Sequence, residues 1–140
     1  MRELPWAPLV RVSGSLMLPT LGPGDILVTR PVLGRVARGD VVVVASSGRR
    51  YVKRVVGRGS DVVEMEAGRL RVNGRWLDPP PPGIGAPVAR WVVPAGHLFV
   101  AGDNRVASSD SRSWERPFVP VAAVRGVALT RAVRSHPAWM

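Results

Sequence analysis

Fifteen glycines and fourteen prolines cut this 140-residue chain into apolar runs too short to make ordinary helices. Proline removes a backbone donor and fixes φ, while glycine favours tight turns, so an interior built from such runs must come from short elements. The runs are rich in valine, whose branched Cβ suits a pleated strand better than a helix. Residues 41–45 form a continuous apolar run, as in a buried strand, and residues 51–56 alternate and return as its hairpin partner. Further strands are predicted over 9–12, 25–29, 62–65, 69–72, 75–77 and 97–101, with 119–127 read as one more. Residues 13–24 read as a loop and 38–40 as a turn. Asn73-Gly74 predicts a type I′ hairpin turn, because both residues tolerate positive φ. Residues 78–87 hold four consecutive prolines and read as a stiff connector. The expected fold class is all-β, with several short antiparallel sheets joined by Gly/Pro-rich loops. One domain spans 1–140, with its core at about 9–128 and residues 129–140 as a loose tail.

Composition narrows the chemistry. Hydrophobic residues make up 46%, enough for a folded core. The absence of cysteine excludes disulfides, thiolate metal sites and cysteine nucleophiles. Two distant histidines, His97 and His136, do not suggest a zinc site, and no metal or other cofactor is expected. The net charge of +10 would suit nucleic acid, an anionic membrane surface or an acidic partner. The arginines are scattered, and aromatics, at 6%, lack the interleaving of a base-stacking surface, so nucleic acid is not the expected partner. No run approaches the roughly 18 apolar residues of a membrane span, and the first residues lack a signal-peptide core. The expected location is cytoplasmic, with contact at a membrane surface left open.

Lys53 is the only lysine; the other nineteen strong bases are arginine. Arginine stays protonated in any protein site, whereas a desolvated lysine can lose its proton and act as a base. An exposed strand lysine is the bland alternative. Two further segments bear on the choice. One is Ser13-Gly14-Ser15-Leu16-Met17-Leu18-Pro19-Thr20, followed by Gly24-Asp25; the other is Gly102-Asp103-Asn104-Arg105, followed by Ser108 and Asp110-Ser111-Arg112. Taken singly, Ser108 is an ordinary turn residue and Asp110 with Arg112 an ordinary surface pair.

In this order and spacing, with Gly39-Asp40-Val41-Val42 and Val72-Asn73-Gly74 between them, the segments resemble the signal peptidase I family of serine–lysine proteases. The resemblance runs from about residue 10 to residue 128 and implies a peptide or protein substrate. It implies Lys53 as the general base, Ser108 as its orienting partner, and an Asp110–Arg112 ion pair that supports the loop. Asp103 and Asn104 would fix their turn, and Gly14 would be a further supporting residue. Met17, Leu18 and Pro19 would form an apolar loop near substrate or membrane, with core packing as the other reading of Met17 and Leu18. The membrane-bound members carry a transmembrane anchor and often a large insertion, where this chain has its proline connector. In this the chain is similar to the short nickel-type superoxide dismutase maturation proteases, which implies the propeptide of a secreted or metal-binding protein as substrate.

The chain departs from the pattern at one position. The family motif places serine before Met17, and here Leu16 stands there. A leucine side chain has no oxygen with which to attack. Three readings remain open: a single-base substitution of serine, Ser15 as a substitute nucleophile after a loop shift, or a non-cleaving peptide-binding module on the same scaffold.

Overall fold

The computed structural model describes residues 8–83 and 85–129. The tail expected beyond residue 129, together with His136, lies outside the described residues. Eleven strands follow in chain order: β1 (Leu9–Arg11), β2 (Ile26–Arg30), β3 (Val41–Ser46), β4 (Arg49–Arg58), β5 (Val62–Glu66), β6 (Arg69–Val72), β7 (Arg75–Trp76), β8 (Ala89–Val92), β9 (His97–Ala101), β10 (Phe118–Pro120) and β11 (Val124–Ala128). All pairings are antiparallel. They build a seven-stranded sheet in the order β1-β2-β11-β3-β4-β9-β10 and a four-stranded sheet in the order β7-β6-β5-β8. The all-β expectation holds.

The apolar run of β3 lies at the centre of the large sheet. Val42 and Val44 belong to one core cluster and Val43 to another, so both faces of this strand are covered. That explains a continuous apolar run in place of an alternating one. The second cluster, which includes Val10, Val12, Met17 and Leu27, ties β1 and the following loop to the middle of the sheet. A third cluster joins the small sheet to β9 through Val63, Leu70, Val72 and Phe99.

β4 runs on from the large sheet towards the small one. Its register against β9 shifts between Val55 and Gly57, the mark of a bulge. A Cβ at Gly57 would lie 2.9 Å from Val63 Cγ2, so glycine lets β4 pass close to the small sheet. Asn73 and Gly74 both take positive φ, at 49° and 81°, as a type I′ turn requires. Asn73 also accepts the Val62 N–H at 2.9 Å and donates to Asp61 at 3.0 Å, which pins the hairpin.

Two expectations need correction. The segment read as one strand over 119–127 is β10, a 3₁₀ turn over Val121–Ala123, and then β11. Pro120 closes β10 because it has no N–H to offer a ladder. β8 was not anticipated; it is a four-residue edge strand between Pro87 and Pro94.

Candidate active site

Lys53 lies in β4 opposite Val42 of β3, with 1% of its surface exposed. Its Nζ donates to Ser108 Oγ at 2.9 Å and to the Ser109 carbonyl at 2.9 Å. Burial pushes this amine below its ordinary value; Asp110 opposes the shift and Arg112 adds to it. A neutral amine carries two hydrogens and one lone pair. The two acceptors use both hydrogens, which leaves the lone pair for a third direction.

Ser108 is held as an acceptor towards the lysine. Its oxygen also accepts the Gly102 N–H at 3.1 Å, and its hydroxyl helps to lower the Asp110 carboxyl. Both lone pairs of the Ser108 oxygen are thereby engaged. Asp110 is fully buried, at 0% exposure. Burial opposes its ionisation, but Arg112, the Gly102 N–H and Ser108 outweigh that and hold its carboxyl below the usual range. The Arg112 guanidinium meets it at 2.8 Å and 3.1 Å, and its Nη2 also donates to the Arg105 carbonyl at 2.8 Å. A buried carboxylate with a paired guanidinium is close to neutral overall, so it does not force a proton onto Lys53.

The loop carrying residue 16 is tied to the same framework. The Asn104 N–H donates to the Leu16 carbonyl at 2.9 Å, and Asn104 Nδ2 donates to the Ser15 carbonyl at 2.9 Å. A Cβ at Gly102 would overlap Ser108 Oγ and lie 2.7 Å from the Leu16 carbonyl, so only glycine permits this approach. Asp103 accepts Thr20 Oγ1 at 2.6 Å and a bidentate pair from Arg54 at 2.7 and 2.8 Å. Burial would raise the Asp103 carboxyl, yet Arg54 and Thr20 bring it below the ordinary value. Arg54 was not singled out in the sequence; nothing distinguishes it there among nineteen arginines except its place beside Lys53.

Leu16 and Lys53 line one pocket of about 430 Å³, walled by residues 10–13 and 49–53. Gly14 takes positive φ, at 74°, where the chain turns into this loop. Ser15 is exposed, does not line the pocket, and makes no hydrogen bond to Lys53. The apolar loop divides: Leu18 and Pro19 are exposed, but Met17 is 2% exposed and packs in the core. Of the two readings of Met17, the structure gives core packing, and the same residue also lines the pocket. Its sulfur accepts the Asp103 N–H at 3.4 Å and joins the loop to the turn.

A family model described as "Signal peptidase, peptidase S26" matches residues 1–133. The chain belongs to the signal peptidase I (peptidase S26) family. It is 35% identical over 119 residues to signal peptidase I of Bacillus amyloliquefaciens, a match covering 73% of this chain and 62% of that protein. To signal peptidase I S of Bacillus subtilis (strain 168) it is 34% identical, over 80% of this chain and 69% of the relative. The signal peptidase I of Pseudomonas fluorescens is 35% identical, over 77% of this chain and 55% of its own length. That alignment runs for 157 residues, longer than this 140-residue chain, so the Pseudomonas protein carries inserted sequence. The chain thus spans between about half and two thirds of these relatives. The crystal structure of a signal peptidase I from Enterococcus faecalis V583 matches with a TM-score of 0.55 and 28% identity, covering 71% of this chain and all of that one. Among the described residues, no helix is long and apolar enough to cross a membrane.

Proposed function

We propose that this chain is built as a serine–lysine endopeptidase that removes an N-terminal leader or propeptide, with residue 16 as the nucleophile position and Lys53 as the general base. The observation that carries this reading is the buried amine of Lys53, pushed below its ordinary value by burial and held by Ser108 in the pocket that residue 16 lines. A serine hydroxyl at position 16 would give its proton to the lone pair of that amine as it attacks the scissile carbonyl. The developing oxyanion would meet the N–H of residue 16, which has no acceptor among the described residues.

The substrate is an extended peptide. β1 ends the large sheet, and residues 49–53 of β4 pair with β3 alone, since β9 takes up only Arg54–Arg58. Both strands therefore offer unpaired backbone groups beside the pocket, the arrangement by which an added strand is bound. The short span between Lys53 and Gly102 supports the nickel-type superoxide dismutase maturation subgroup, acting in the cytoplasm on a propeptide, with exposed Leu18 as the point of membrane-surface contact.

Leu16 favours a second reading, in which the chain as it stands binds peptides without cutting them. One assay separates the two. Leu16→Ser is expected to cleave a propeptide that the original chain leaves intact, and Lys53→Ala in that background is expected to abolish cleavage. Absence of hydrolysis by Leu16→Ser on every propeptide tested would leave the binding module. Cleavage by the original chain that Ser15→Ala stops would make Ser15 the nucleophile.

A further inference from the structure

The peptide groove is strongly and one-sidedly charged. Arg11 stands on one wall and Arg49 and Arg50 on the other, and no aspartate or glutamate lines the groove. All three arginines are exposed. Five arginines outside the groove pair with carboxylates: Arg38 with Asp61, Arg54 with Asp103, Arg71 with Glu64, Arg105 with Asp78 and Arg112 with Asp110. Arg11, Arg49 and Arg50, like several other surface arginines, have no side-chain partner among the described residues; what sets them apart is that they line one pocket together. Apart from Lys53, the groove carries three positive charges and no counter-charge.

Their position follows from the hairpin. Ser47 and Gly48 take positive φ, at 50° and 75°, so β4 begins directly after a tight turn and presents Arg49 and Arg50 at the open end of the groove. Side chains alternate along a strand, so Arg49 shares a face with Lys53 while Arg50 lies on the other. Arg49 lies four positions before Lys53 along the strand, a span of roughly 13 Å. A peptide bound alongside therefore passes these guanidinium groups three to four residues from its scissile bond.

We propose that the groove selects acidic peptides, with aspartate or glutamate three to four residues from the cut, and that Arg11, Arg49 and Arg50 determine this preference. The inference rests on the proposed peptide site but not on its catalytic competence. Each exposed guanidinium–carboxylate pair contributes modestly, so the combined preference is about three- to tenfold over a neutral peptide. Screening makes it fall as salt rises from about 50 to about 500 mM.

The test has two arms, both using fluorescein-labelled peptides identical except for Glu, Ala or Lys at those positions. Anisotropy measures binding to the chain as it stands; hydrolysis is followed with Leu16→Ser. The Glu peptide is expected to bind and react best. The double variant Arg49→Glu/Arg50→Glu is expected to prefer the Lys peptide, while Arg75→Glu, on the exposed edge strand β7, keeps the original order. Equal affinity for the three peptides, or a preference untouched by the double variant, overturns the inference. Cleavage without charge preference would sink it and leave the protease reading standing. Acid-selective binding without cleavage by Leu16→Ser would uphold it and remove that reading.

Discussion

A lysine with a depressed pKa can be tested through its neighbours. In the Leu16→Ser background, cleavage requires neutral Lys53, so the rate is expected to rise with pH through the lowered amine value and level off above it. Arg112 helps to lower that value and Asp110 raises it. Arg112→Gln is therefore expected to move the acidic limb to higher pH, and Asp110→Asn to lower pH. Opposite displacements in a pH–rate profile separate this role from mere structural support; a limb unmoved by both contradicts it. Arg112→Gln also strands a fully buried carboxylate, with an expected loss of about 3–5 kcal/mol in denaturant unfolding. Lys53 contributes a pH dependence of its own. Its folded-state value is lowered, so the unfolded chain binds more protons between that value and 10.5, and stability rises with pH across this window. The residue scale was the most legible in the sequence, because a lone lysine among arginines already asks for a chemical reason. Arg54 and the Ser109 carbonyl were not legible: one is an arginine like the rest, and the other is a backbone atom placed by a turn.

Among the elements, the buried central strand was the most legible. β3 announced itself because both of its faces are covered, and its hairpin with β4 followed from the return pattern. β8 was missed and β10 was merged with β11; both are edge strands, although the edge strands β1 and β7 were legible. Edge strands tolerate proline and need only weak alternation, so Pro87, Pro94 and Pro120 masked β8 and β10. The loop between β9 and β10 gathers Asp103, Asn104, Ser108 and Asp110, and the sequence marks these residues without showing what they hold. The structure places Asn104 on the backbone of residues 15 and 16 and Gly102 against Ser108. Gly102→Ala tests this closeness. The added methyl must push Ser108 or the Leu16 carbonyl away. The expected result is a loss of about 1–3 kcal/mol in stability, together with loss of cleavage in the Leu16→Ser background. Full activity in Gly102→Ala would show that the two loops need not touch.

The whole molecule is held partly by carboxylates that resist protonation. Asp61, Asp103 and Asp110 all have folded-state values below 3.8, because arginine partners outweigh the cost of burial. Each contributes stability that is present above 3.8 and lost as pH falls through its lowered value. Denaturant midpoints are therefore expected to fall steeply on acidification below that point, and less steeply in Asp103→Asn. At this scale the sequence foretold an all-β fold and a basic chain, but not that three arginines gather on one groove, since that depends on β1 and β4 facing a common pocket. The proposed chemistry depends on an uncharged amine at position 53, and the chain offers an unusually clean way to observe it. With a single lysine, a protein labelled with 15N-lysine gives one side-chain amine resonance. Its NMR titration is expected to show a midpoint clearly below 10.5. A midpoint at or above 10.5 would mean a solvated ammonium group, and the proposed chemistry would have no base.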